Sequence, residues 1–190
     1  MSFCFLTVSK APPHAILDAF LLQHGLTSGE RFLQMDQGGD LWRSAKIRAV
    51  AAKHDYHIEP TGSDSPSQNG KVERLNGTFG VMVRALLYSS GLVPMFWSSA
   101  LLLAVYLKNR LYHRAIRCTP YFSWTGKIPN MSHLRIYGSL VTARKPDKAS
   151  AKMDYKTATG IFLGYGATTQ HIHYYDLVSK RLKNRQPLCV

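Results

Sequence analysis

Apolar positions along the chain switch repeatedly between helical spacings of three and four residues and short β-branched or aromatic runs, the alternation that builds an α/β layer. Phe3 to Val8 has strand-like content and predicts a strand almost at the first residue. Pro12 and Pro13 suit a helix start, and Ile16, Phe20 and Leu21 form a stripe that ends at Gly25. Arg31 to Met35 predicts a short strand ending at Asp36, Leu41 to Lys53 a second helix, and Tyr56 to Pro60 another strand. A Pro/Ser/Asn-rich loop from Thr61 to Gly70 follows. Val72, Leu75, Phe79, Met82 and Leu86 then recur at helical intervals and predict a long helix, ended by Gly91, whose stripe faces a core. Glu73 falls in its first turn, about 100° off the stripe, at the boundary between packed and open surface. A further helix is expected from Pro94 through Trp97, Ala100 and Ala104 to Leu111.

The pattern changes after Cys118. Thr119 to Gly126 predicts a short helical turn and Lys127 to Ser132 a connecting loop. Short strands are then expected at Arg135 to Ala143, Gly160 to Gly164, His171 to Tyr175 and Lys180 to Lys183, a small all-β module. The expected organisation is therefore an α/β region at 1–118, a linker at 119–132 and a β module at 133–186.

Charge adds a partner class. The 190 residues carry 24 Lys and Arg against 11 Asp and Glu, a net charge of +13 and a pI near 9.9. That balance favours a polyanion such as DNA, or RNA, through phosphate contacts and counterion release, while charge alone leaves a basic, soluble surface with no dedicated partner equally open. A hydrophobic content of 45% is enough to fill a core. Cys4, Cys118 and Cys189 are too few and too scattered for a disulfide framework or a zinc site, and fit a reducing compartment. No apolar run is long enough to span a bilayer, and the amino terminus lacks the features of a signal peptide, so neither membrane nor secretion is expected.

Two acids carry the candidate chemistry. Phosphodiester cleavage or transfer uses two hard cations held by carboxylates from separate elements, and Asp36 at a strand end and Glu73 at a helix start meet that requirement. Each alone has a plainer reading: Asp before Gly-Gly as a turn former, and Glu near a helix start as a partner of the helix dipole. Lys71 and Arg74, flanking Glu73, are candidates for phosphate contacts or for a solvated basic face. His171 and His173 share a strand face without further ligands, and they and His54 and His57 are expected in surface or partly packed roles. Tyr137, Phe162, Tyr165, Tyr174 and Tyr175 are expected to form core more than to stack on bases.

From Phe32 to Tyr175 the sequence resembles the integrase region of copia-type LTR retrotransposon polyproteins. Met35-Asp36-Gln37-Gly38-Gly39-Asp40 resembles that family's D-N-G-G-E block, and Pro66-Ser67-Gln68-Asn69-Gly70-Lys71-Val72-Glu73-Arg74 its P-Q-Q-N-G-V-A-E-R block. Phe96-Trp97, Asn109-Arg110 and Thr119-Pro120 follow in order. His133-Leu134-Arg135-Ile136-Tyr137-Gly138 and Ile161-Phe162-Leu163-Gly164-Tyr165 resemble the two hallmarks of the SH3-like module that follows the core. The resemblance implies a truncated ribonuclease H-like core followed by a small SH3-like β-barrel module. It also implies metal-dependent DNA strand transfer, with Mg2+ or Mn2+ on a triad of two Asp and one Glu, and a homo-oligomer in the complete enzyme. It places the protein in the nucleus or in a cytoplasmic particle. By position Asp36 matches the second Asp, Glu73 the Glu, and Asp40 a supporting acid.

The departures are specific. The triad's first Asp belongs on an upstream strand, and Asp18, inside the first helical pattern, does not substitute for it. A His-His-Cys-Cys zinc segment is also missing. The chain is accordingly expected to start after the first catalytic strands and to be inactive alone. The alternative is a non-enzymatic, basic nucleic-acid-binding remnant.

Overall fold

The computed structural model describes residues 1–9, 11–25, 29–36, 40–61, 66–145, 156–166, 171–185 and 187–189, and the side chains of Asp36, Asp40 and Lys71 lie outside that description. The described elements mix helices and strands. They are α1 (His14–His24), β1 (Phe32–Asp36), α2 (Asp40–Arg43), α3 (Ala45–Lys53), β2 (His57–Thr61), α4 (Pro66–Ser90), a 3-10 turn (Pro94–Phe96), α5 (Trp97–Arg110), α6 (Pro120–Thr125), β3 (Leu140–Arg144), β4 (Thr157–Tyr165), β5 (Ile172–Asp176), β6 (Arg181–Arg185) and β7 (Pro187–Cys189). Packing divides the chain into two compact units, Phe5–Gly77 and Met1–Cys4 with Thr78–Val190. The division falls inside α4, away from the module boundary expected at Cys118, because α5 packs directly on β4.

In the unit Phe5–Gly77, β1 and β2 form a parallel pair with Asp36 opposite Thr61, joined through α2 and α3 as parallel strands require. The expected single helix from Leu41 to Lys53 is broken at Ser44. Its hydroxyl accepts the Ile47 N–H at 3.4 Å and caps α3, an N-cap role for which Ser competes well with helix continuation. The two edges of the pair differ. His57 N–H donates to the Arg31 carbonyl at 2.8 Å, so Ile58 and Pro60 turn their backbone outward, and Pro60 has no N–H to offer there. The outer edge of β1, at Phe32, Gln34 and Asp36, has no such interruption.

The other unit is built on a sheet of order β6-β5-β4-β3-β7 with every neighbour antiparallel. Four of its strands, β3 to β6, run as a meander; β7 is a short addition that the sequence pattern does not predict. Ile172, Tyr174 and Asp176 alternate inward along β5. On β4 the alternation slips where a bulge between Phe162 and Gly164 shifts the register, so Phe162 and Leu163 are both buried. Ala100 and Leu103 of α5 join Tyr137, Val141, Ala143, Phe162, Leu163, Ile172 and Tyr174 in one core, against which Val83, Leu86 and Leu87 of α4 pack. Each large side chain sealed there contributes about 1.5–3 kcal/mol of burial. Tyr137, Phe162 and Tyr174 are core residues as expected; Tyr165 and Tyr175 are half-buried beside them.

Several expectations change. Phe3 to Val8 is not a strand. The Ser2 amide and carbonyl are both held by the Asn109 side chain, at 2.8 and 2.7 Å, while the rings of Phe3 and Phe5 meet Trp124 and Phe20 edge-on. Side chains hold the segment where a ladder was expected. The strand foreseen at Arg135 to Ala143 begins only at Leu140, because Gly138 takes φ +85° and turns the chain, with Ser139 N–H bonding back to the Ile136 carbonyl. Pro66 to Gly70, expected in a loop, opens α4, and Val72, expected on the packed stripe, is exposed.

Candidate active site

Asp36 is the last residue of β1 and pairs with Thr61, the last of β2. Both strands therefore end together, the end of a parallel pair where α/β folds place their ligand sites. The chain enters α4 at Pro66 shortly after Thr61. Glu73 lies about two turns beyond that start, exposed, so it is beyond the first turn in which the helix dipole acts. The plainer reading of Glu73 as a dipole partner thereby loses its ground. Arg74, also exposed, folds back along the helix and donates Nε–H to the Gly70 carbonyl at 2.9 Å.

Asp18 has a structural task. It sits on α1 and takes Lys53 Nζ at 2.9 Å and His54 Nε2 at 2.6 Å, joining α1 to the end of α3. The bond from His54 and then that from Lys53 hold its carboxyl below the usual carboxylate range. Its neighbourhood is cationic, unlike a metal site, which gathers acids.

Magnesium and manganese are octahedral oxygen-loving ions, and a two-cation site draws carboxylates from several elements. Asp36 ends β1 and Glu73 lies on α4 in one unit, but among the described residues no three His, Cys, Asp or Glu gather closely enough to hold an ion. The described residues do not by themselves complete such a site. A depression of about 450 Å³ in the same unit, lined by Phe5, Pro13, Ile16, Leu17, Phe20 and Leu41 among others, carries no titratable side chain and is not the site of this chemistry.

The remaining sequence blocks have visible structural work. Thr119 caps α6 by accepting the Phe122 N–H at 3.0 Å, with Pro120 at the first helical position. Tyr137 buries its ring and shares its hydroxyl with Ser99 at 2.9 Å and the Phe96 carbonyl at 3.2 Å. Gly138 donates to the Phe162 carbonyl at 2.9 Å and Phe162 N–H to the Ser139 carbonyl at 2.8 Å. Tyr165 donates to the His133 carbonyl at 3.0 Å and accepts the Arg135 N–H at 2.8 Å. The blocks around His133 and around Phe162 are thus two halves of one interlock. A Cβ on Gly160 would meet Tyr174 Cδ2 at 2.4 Å, which is why only glycine stands there.

The histidines follow expectation: His171 is exposed, and His173 is half-buried, which pushes its pKa down. Among the described residues no helix is long and apolar enough to cross a membrane.

No protein-family model matches the chain. Over 151 residues it is 32% identical to the Retrovirus-related Pol polyprotein from transposon TNT 1-94 of Nicotiana tabacum, covering 79% of this chain and 11% of that protein. It is 29% identical over 151 residues to the Retrovirus-related Pol polyprotein from transposon RE1 of Arabidopsis thaliana, covering 77% of this chain and 10% of that protein. The chain spans about a tenth of the length of these curated relatives. Among solved structures, a chain in the cryo-EM structure of the simian T-cell lymphotropic virus intasome in complex with PP2A regulatory subunit B56 gamma aligns with a TM-score of 0.51. That alignment covers 96% of this chain and 64% of the other at 13% identity, a likeness of fold alone. In sequence, the chain is homologous to one segment of the copia-type retrovirus-related Pol polyproteins.

Proposed function

We propose that the chain is part of a retrotransposon integrase: the later portion of a ribonuclease H-like core followed by an SH3-like module, binding DNA and contributing Asp36 and Glu73 to a Mg2+ or Mn2+ site. The observation that carries this reading is the joint ending of the parallel strands at Asp36 and Thr61, followed at once by a helix that presents Glu73 to solvent. Homology to Pol polyproteins and the fold likeness to an intasome chain support it. Among the described residues β1 pairs only with β2, and this supports it further, since a further strand would add on β1's other edge, beside Asp36, and is barred from β2 by Pro60. An Asp at the end of that strand would supply the third ligand. Lys71 and Arg74 then serve as contacts to DNA phosphates, and oligomers form only in the complete enzyme, in the nucleus or a cytoplasmic particle.

In this role Asp36 and Glu73 would hold the ions, which would supply nucleophile activation and leaving-group stabilisation when bound. Arg74, laid along α4, positions the strand being joined. The second reading is a basic nucleic-acid-binding remnant, supported by the chain's net charge of +13.

A strand-transfer assay in Mn2+ decides between them. The chain as it stands is expected to bind DNA with strong salt dependence and to transfer no strand. An extended chain carrying an upstream strand that ends in Asp is expected to gain metal-dependent transfer, abolished by D36N or E73Q. Extension without any gain in activity would refute the integrase reading and leave the remnant. DNA binding indifferent to salt would refute both.

A further inference from the structure

The block Asn109-Arg110 and the basic residues near His133 are not used by the proposed chemistry, yet they converge at one place. Arg110 leaves the end of α5 and lies between two rings, its guanidinium carbon 3.5 Å from the centre of Tyr106 and 4.9 Å from that of Tyr121. Nη1 donates to the Tyr106 carbonyl at 3.2 Å, which uses one of its five N–H donors. The Tyr106 hydroxyl meets His133 Nε2 at 2.5 Å, and Tyr165 closes the group with its ring 4.8 Å from Tyr106 and 5.1 Å from His133. Arg135 is held over the same loop by its Nη1 bonds to the Ser132 and Leu134 carbonyls, at 3.4 and 3.1 Å.

Among the described residues neither Arg110 nor Arg135 pairs with a carboxylate. Burial lowers the pKa of Arg110. Burial, then Arg110 and Arg135, lower that of His133. Aromatic stacking offsets part of the cost of a half-buried cation, but a matching anion would offset more. Two guanidiniums and an imidazole gather around the rings of Tyr106, Tyr121 and Tyr165, and among the described residues no carboxylate pairs with them, a donor-rich cluster whose complement is a phosphate.

We propose that Arg110, Arg135 and His133 form an anion site that takes a backbone phosphate of bound nucleic acid. It is separate in sequence from Lys71 and Arg74, and it extends the DNA-binding reading given above, on which it rests. Arg110 supplies a fixed, pre-stacked fork, Arg135 an exposed second cation, and His133 a donor whose charge follows the anion. The chain's +13 charge favours a polyanion over a free phosphate, because neighbouring phosphates gain from the rest of the basic surface.

Binding of a short fluorescein-labelled DNA duplex to the full chain, followed by anisotropy across a salt series, tests this with R135Q and R110Q. R135Q, which touches only local backbone, is expected to keep the wild-type melting temperature and weaken binding about fivefold at 0.15 M salt. It should lower the slope of log affinity against log salt by about 1, and R110Q should move affinity the same way. The His133 imidazole, followed by NMR, is expected to titrate at higher pH once DNA is bound and to stay put in inorganic phosphate at equal concentration. An R135Q protein with unchanged affinity and slope, or a His133 that ignores DNA, overturns the proposal. If R135Q binds normally while R74Q is weakened, this site alone falls; if wild type binds no DNA, the DNA-binding reading falls with it.

Discussion

Asp176 offers the most direct test of how the sheet unit is held together. It is buried to 2% exposure at the end of β5. One oxygen accepts the Val178 and Ser179 N–H groups, each at 2.9 Å, and the other takes Lys183 Nζ at 2.6 Å from β6. Burial pushes its pKa up, but the Lys183 bond and the Ser179 and Val178 N–H groups outweigh that and bring it from its ordinary 3.8 down to about 2. Because the folded pKa lies below the unfolded one, the carboxylate stabilises the fold fully above about pH 5, and the contribution is lost as pH falls from about 4 to 2. A depression of nearly two pH units, at about 1.4 kcal/mol each, is worth about 2.5 kcal/mol. Asp176→Asn keeps an acceptor for the turn but leaves Lys183 without its anion. Urea unfolding at pH 7 is expected to show a midpoint lowered by about that free energy at unchanged m-value. Between pH 5 and pH 2.5 the wild type is expected to converge on the variant. Parallel loss of stability by both proteins across that range, or a gap at pH 7 below about 0.5 kcal/mol, would refute the reasoning.

Gly138→Ala places a Cβ 2.5 Å from that of Ser90 at a φ of +85°, so a loss of about 2 kcal/mol or more is expected in the same urea assay; wild-type stability would contradict the geometry. Gly77→Ala acts oppositely: a Cβ there meets nothing within 4 Å inside α4, and a gain of about 0.5–1 kcal/mol is expected by thermal unfolding. Asn109→Ala releases both Ser2 bonds and is expected to raise the hydrogen-exchange rate of the Ser2 amide, with about 1–2 kcal/mol lost overall.

Legibility differed between the two candidate functions of the sequence blocks. The strand end at Asp36, α1 up to its stop at Gly25, the helical turn after Thr119 and most of the later strands follow from periodicity and from turn residues, which act within a few positions. The apolar spacing places Glu73 on a helix but not at its depth in α4, because Pro66 to Gly70 contains the residues that usually signal a loop. The partner of each basic residue was invisible too: nothing local says that Arg110 stacks on Tyr106 and Tyr121, or that Asp18 is taken by Lys53 and His54.

By itself the sequence determined the alternation of helix and strand, the basic character, the ordered blocks that reveal descent, and which acids are eligible for metal chemistry. Only the tertiary structure decided that the blocks around His133 and Phe162 lock one another, that Phe3 and Phe5 meet aromatic rings instead of a strand ladder, and that among the described residues β1 pairs only with β2, whose outward backbone carries Pro60. The physical reason is range. Propensity and periodicity are properties of neighbouring residues, whereas a ladder partner, a counter-ion or a void filled by a missing Cβ is supplied by residues far away in the chain.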